Sequence, residues 1–197
     1  YADARVPLFL NYYRRYHPAY RQVYALLQSK ALGRLDSVTC YYSRGLLHNG
    51  IHYFDLFRWW FGDIQDSIVT KVHSGLHPDD PTVSLCLNFR ERLTVYLLGL
   101  PAGKTIINEI DIIGEKGRIT IDTLGRMSRY DVDTHPDYPI YNAYQLVDDA
   151  SIDIGEAILE LPTAILEYLD NGRMPPTPAE DSVPLYKQIN EIKGDLT

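Results

Sequence analysis

Residues 44–63 read RGLLHNGIHYFDLFRWWFGD. Asn49–Gly50 offers a helix start and Gly62 a stop, and the stretch between them has helical periodicity. It predicts a short helix from about Asn49 to Phe61. At about 100° per residue, His52, Asp55 and Trp59 fall within about 60° of one another, with Arg58 alongside. Tyr53, Phe54, Leu56, Phe57, Trp60 and Phe61 cover the opposite arc, and Ile51 strays onto the polar side. A helix with an aromatic back of that width buries it against another layer. His48 belongs to the loop that leads into it.

The surrounding sequence supplies that layer. Arg5–Tyr13 reads as a first strand, and HPAYRQVYALLQSKALG as a helix with Pro18 in its first turn and Gly33 as its left-handed stop. Arg34–Ser43 is β-rich. Beyond Gly62 come five β-branched runs: DSIVTKVHS, TVSLCLNF, RLTVYLLGL, KTIINEIDIIG and GRITIDT. GEKG at 114–117 and NFRERL are hairpin turns, so the sheet is expected to be mainly antiparallel. Residues 125–150, rich in Tyr, Asp and Pro, read as an extended or looping segment. Two helices follow, near Ile152–Asn171 (stopped by Asn171–Gly172) and near Pro178–Lys193 (entered through Thr177 as N-cap). The predicted class is α+β, an open and mainly antiparallel (mixed) sheet with helices packed on one face, in a single domain over residues 1–197.

Composition narrows the function. The chain has 197 residues, 45% of them hydrophobic, and a net charge of −7, which disfavours nucleic-acid and anionic-membrane surfaces. No apolar run approaches the roughly 18 residues of a membrane span. The two cysteines, Cys40 and Cys86, lie in β-like segments without partners at metal spacing, and read as reduced core residues of a cytoplasmic protein. There is no GxGxxG turn and no GxxxxGK[ST] loop, hence no phosphate cradle. Sixteen tyrosines read mainly as strand and interface residues. Asp79–Asp80 and Asp148–Asp149 read as solvated loop carboxylates, and Arg14–Arg15 as structural ion pairs or contacts to an upstream domain.

The polar stripe admits three readings. In the first, His52 bonds a neighbouring carbonyl and Asp55 pairs with Arg58 on the helix flank. In the second, His48 and His52 share a helical face as metal ligands with Asp55 as a third, although Gly50 between them weakens that geometry. A second HxxxH, His73 to His77, runs into HPDDP and reads as a strand exit. In the third, a histidine oriented by a carboxylate performs proton transfer.

The order of motifs resembles the C-terminal domain of the Gfo/Idh/MocA oxidoreductases, the glucose–fructose oxidoreductase and inositol dehydrogenase family. The matching segments are Asn11–Pro18 (NYYRRYHP), Ser29–Gly33 (SKALG), Gly50–Leu56 (GIHYFDL) with Trp60–Gly62, the hairpin Ile113–Ile121 (IGEKGRITI), and Asn171–Asp181 (NGRMPPTPAED). The likeness covers nearly the whole chain.

That resemblance implies NAD(P)-dependent oxidation or reduction at a secondary alcohol of a sugar, cyclitol or related polyol. His52 matches the catalytic histidine, with Asp55 and His48 in support; many members carry Asp where His48 stands. Tyr42, Arg44 and Asn49 are candidate substrate contacts by position. The family's Rossmann domain and E-K-P lysine lie upstream and are absent from this chain. NAD or NADP would therefore be bound mainly outside it, and the piece alone is expected to be inactive. No metal is implied. The uncovered sheet face is expected to make a homodimer or homotetramer. An NAD-dependent glycosidase and a non-catalytic dimerisation module are the alternatives.

Overall fold

The β-branched runs do become strands of one sheet. The computed structural model describes residues 7–101, 103–151, 153–194 and 196, with backbone alone at 154 and 156. Its strands are β1 (Leu35–Tyr42), β2 (Asp66–His77), β3 (Asp80–Asn88), β4 (Thr94–Gly99), β5 (Asn108–Gly114), β6 (Gly117–Ile121), β7 (Arg126–Thr134) and β8 (Asn142–Ser151). They lie in the order β2-β3-β4-β1-β5-β6-β7-β8. β1 pairs in parallel with β4, and every other neighbouring pair is antiparallel. The helices are α1 (Pro18–Gln28), α2 (Ile51–Phe61), α3 (Ile154–Asn171) and α4 (Val183–Gly194). This is the α+β class with a mixed sheet that the runs imply.

Side chains alternate across the sheet with period two. One row crosses it through Leu85, Leu97, Cys40, Ile110, Ile121 and Met127, and all six are buried. Tyr20 and Val23 of α1, the aromatic arc of α2, and Leu185, Ile189 and Ile192 of α4 join the same core. Each fully buried Leu, Ile or Phe contributes about 1.5–3 kcal/mol. The adjacent row, Ile68, Cys86, Tyr96, Thr39 and Asp111, faces the other way, leaving Ile68 and Tyr96 exposed.

Four expectations need correction. Arg5 and Val6 lie outside the described residues, and the rest of the proposed first strand makes only one bridge, Phe9 to Pro178, before a 3-10 turn at Tyr13–Arg15. Residues 125–150, read as extended or looping, are mostly extended: they supply the hairpin β7–β8, whose strands at the end of the sheet bury little and so lack an apolar pattern. Asp148 and Asp149 therefore lie on a strand, and Asp149 accepts hydrogen bonds from Arg126 and Ser128. Thr177 does not cap α4; its hydroxyl donates to the Leu10 carbonyl (2.6 Å) and meets the Tyr16 hydroxyl (2.6 Å), so a 3-10 turn at Ala179–Ser182 precedes that helix. Gly33 is left-handed (φ +73°), but α1 has already ended at Gln28, and the glycine serves the turn into β1. As expected, Gly172 (φ +74°) closes α3; its start is capped by Asp153, which the sequence reading did not single out. No helix among the described residues is long and apolar enough to cross a membrane.

Candidate active site

The chain leaves β1 through two left-handed residues, Arg44 (φ +78°) and Gly45 (φ +97°). It then enters a π-helical turn, Leu46–Gly50, that runs directly into α2. The N–H groups of Asn49 (3.2 Å) and Gly50 (3.0 Å) both donate to the Gly45 carbonyl. His48 is therefore an exposed residue of a helical turn, not of a lead-in loop, and Gly50 is no N-cap. The cap comes from a distant strand. Asp80, at the start of β3, accepts the N–H of Leu47 (2.8 Å) and of His48 (2.9 Å), while Thr82 Oγ1 accepts the N–H of Gly45 (2.9 Å). The reading of Asp80 as a solvated carboxylate is thus overturned; Asp79 is the exposed one.

One turn on, His52 is part-buried between Tyr12 (ring centroids 5.6 Å, edge-on) and Tyr13 (5.6 Å, tilted). Its Nδ1 is enclosed with no partner among the described residues. Burial, reinforced by the charges of Arg14 and His48, lowers its pKa to about 4. At neutral pH the imidazole is a neutral proton acceptor.

Asp55 does not share the open edge with His52. It is buried, and Arg15 grips both its oxygens, Nη2 to Oδ1 at 2.6 Å and Nε to Oδ2 at 2.9 Å. Burial pushes its carboxyl up to about 6, against the pull of Arg15. The i,i+3 pair with Arg58 is absent, because Arg58 turns to Asp63 (2.8 Å) and the Asp181 carbonyl. Asp55 and Arg15 thus lock α2 to the Tyr13–Arg15 turn. Arg14, also buried, donates to the Tyr53 hydroxyl (3.1 Å) and lies over the rings of Tyr13 and Tyr53.

Asn108, at the start of β5, accepts from the Tyr53 hydroxyl (3.0 Å) and from Asn49 Nδ2 (2.8 Å), which also donates to the Ser43 carbonyl (3.0 Å). Asn49 thereby fastens the π-helical turn to β5 and to the residue that follows β1. Tyr42 is fully enclosed: its hydroxyl donates to the Val83 carbonyl (2.8 Å) and accepts the Val83 N–H (3.0 Å). It pins β1 to β3 and does not reach outward. Arg44 is part-buried and has no hydrogen bond or ion pair, its Nε enclosed. Of the candidate substrate contacts, Arg44 and the part-exposed Asn49 remain accessible, close in sequence to His48.

Asp80, Thr82 and Asn108 were missed from the sequence. Each lies far along the chain from α2 in a segment without a motif, so only the sheet register could reveal it. No group of three or more His, Cys, Asp or Glu among the described residues could hold a metal ion. The N–H groups that open the π-helical turn are taken by Asp80, so that end offers a dinucleotide phosphate no cradle. Grooves of about 690 and 560 Å³ lie by Trp60, Phe61 and Lys116 and by Trp59 and Arg173; His52 lines neither.

No protein-family model matches the chain, and no curated protein does. Solved structures do. An oxidoreductase from Agrobacterium radiobacter, in complex with NAD+, L-tartaric acid and magnesium, superposes with a TM-score of 0.61 at 19% identity, over 91% of this chain and 60% of that one. Levoglucosan dehydrogenase with NADH and L-sorbose gives 0.62 at 13%, over 84% and 57%. A super-repressor mutant of Gal80p from Saccharomyces cerevisiae gives 0.65 at 12%, over 90% and 56%. The chain thus spans less than two thirds of the length of each, and what it shares with these Gfo/Idh/MocA-type proteins is the fold of an α+β domain with an eight-stranded mixed sheet.

Proposed function

We propose that this chain is the substrate-binding, histidine-bearing part of a cytoplasmic NAD(P)-dependent oxidoreductase of the Gfo/Idh/MocA type, acting on a secondary alcohol of a sugar, cyclitol or related polyol. The observation that carries the proposal is His52, held neutral by burial at the head of α2, in a fold shared with oxidoreductases solved with NAD+ or NADH. With Nδ1 enclosed, Nε2 is the nitrogen that takes the hydroxyl proton. A bound nicotinamide would supply the hydride acceptor for the carbon that bears this hydroxyl. His52 then returns the proton to solvent, or to the carbonyl oxygen in the reverse direction. Asp55 and Arg15 position the helix, and Asn49 with Arg44 meet the substrate. The dinucleotide is held chiefly outside residues 1–197, which have no glycine-rich cradle for it.

The test is steady-state reduction of NAD+ and NADP+ by the intact oxidoreductase with a panel of polyols. His52→Gln is expected to lower kcat by about 10²-fold or more with little change in KM. An unchanged kcat would assign the chain a non-catalytic binding or dimerisation role, a second reading favoured by the same fold in a repressor mutant. Release of a free sugar from a glycoside would instead mark a glycosidase.

A further inference from the structure

Arg44 stands apart from the other arginines. Those drawn into the protein each have a side-chain partner, Arg14 in Tyr53, Arg15 in Asp55, Arg58 in Asp63, Arg118 in Asp111 and Arg129 in Asp131, although Nε and Nη1 of Arg14 and Nε of Arg129 are also enclosed without one. Among the described residues Arg44 alone is part-buried with neither a hydrogen bond nor an ion pair, and its Nε is shut away from solvent. Ser43 beside it is 1% exposed, and its hydroxyl also lacks a partner. A part-buried guanidinium with neither hydrogen bond nor ion pair keeps its outer N–H groups free for a partner. For a guanidinium that partner is an oxyanion, which its planar fork meets with two parallel hydrogen bonds.

The backbone carries the same indication. At φ +78° an arginine sits where glycine would be relaxed, immediately before a π-helical turn, and strain of this kind concentrates at functional sites. Asp80, the carboxylate built into that turn, is occupied by the N–H groups of Leu47 and His48 and forms no ion pair with Arg44. The charge of Arg44 is therefore not neutralised from within the turn. Asn49, which ties the turn to Ser43 and Asn108, fixes this arginine in the same turn-and-helix unit that carries His48 and His52.

We propose that Arg44 is a specificity residue that receives an oxyanion on the substrate, so that the ligand of the His52 site is a sugar acid or a sugar phosphate and not a neutral sugar. This rests on the oxidoreductase reading for the polyol part, but its test requires neither dinucleotide nor turnover. Calorimetric titration of the 197-residue chain compares D-gluco and D-galacto uronates and 6-phosphates with the neutral hexoses and with sulfate. One anionic class is expected to bind at least about tenfold more tightly than its neutral counterpart, and which class does so identifies carboxylate or phosphate. Arg44→Ala should erase the preference without lowering the melting temperature, Arg44→Lys should keep part of it, and His52→Gln should leave it intact. Equal affinity for charged and neutral sugars, no binding to any of them, or a preference that survives in Arg44→Ala overturns the proposal. So does sulfate binding as tightly as the sugars, which would mean an adventitious ion only. An anion preference without turnover would defeat the oxidoreductase reading alone, and turnover of neutral polyols without the preference would defeat this one alone.

Discussion

Gly45 and Asp80 fit each other as lock and key: a Cβ on Gly45 would lie 2.2 Å from Asp80 Oδ2, inside the carboxylate that caps the π-helical turn. The backbone there also has φ +97°, so Gly45 is required twice, for its conformation and for the room it leaves.

Asp80→Ala is expected to cost about 2 kcal/mol, since it strips two backbone N–H groups of a charged acceptor. Gly45→Ala should cost more than a usual glycine substitution, and less in the Asp80→Ala background, where the clash with the carboxylate is gone and only the tighter contact with the Asp80 carbonyl (3.1 Å) remains. Urea denaturation of the four proteins in that cycle measures the coupling. Strict additivity would show that the contact carries no energy.

Arg15→Met is expected to cost about 3 kcal/mol or more, because Asp55 would be left as a buried charge without its partner. The double variant Arg15→Met/Asp55→Leu should recover much of that loss. Chemical denaturation checks the order, and a double variant no more stable than Arg15→Met would contradict it.

His52 makes stability depend on pH in one direction. Its folded pKa, about 4, lies below the ordinary 6.5, so the unfolded chain binds the proton more readily. The stability is complete above about 6.5 and is lost as pH falls toward 4, to a total of about 3 kcal/mol. Asp55 works oppositely: its raised pKa, about 6, gives stability that is complete below the usual carboxylate range and lost as pH rises through 6. The His52 contribution is therefore read as the difference between wild type and His52→Gln across pH 4–7. A difference independent of pH would show that the imidazole is not desolvated.

The uncovered row of Ile68 and Tyr96 gives the expected self-association a place on the sheet. Ile68→Lys and Tyr96→Lys should reduce the sedimentation coefficient to that of a monomer while leaving the far-ultraviolet circular dichroism unchanged. A wild-type chain already monomeric at tens of micromolar would contradict the expected self-association.

The strands and α2 could be read from the sequence because local pattern and tertiary role agree there. β5 and β6 are β-branched runs joined by GEKG, and the aromatic arc of α2 can only face inward. β7 and β8 could not be read so well, since the last two strands of the sheet bury few side chains and carry little apolar periodicity. His52 stood out through its motif, but its environment did not. That Asp80 caps the turn at His48 follows from which strands lie side by side, and that Asp55 faces Arg15 and not Arg58 follows from how α2 packs on the Tyr13–Arg15 turn. Only the assembled fold decides that.

The position of β1 has a consequence for how the protein folds. Val38 pairs with Val95 on one side and with Ile112 on the other, so β1 can be seated only after chain far downstream has been made and has returned. Such long-range closures are slow to form and late to be rewarded. The turn at His48 and the helix of His52 hang directly from the end of β1. In folding experiments, then, the environment of His52 should be among the last features to mature, and no half-formed sheet should expose a working site.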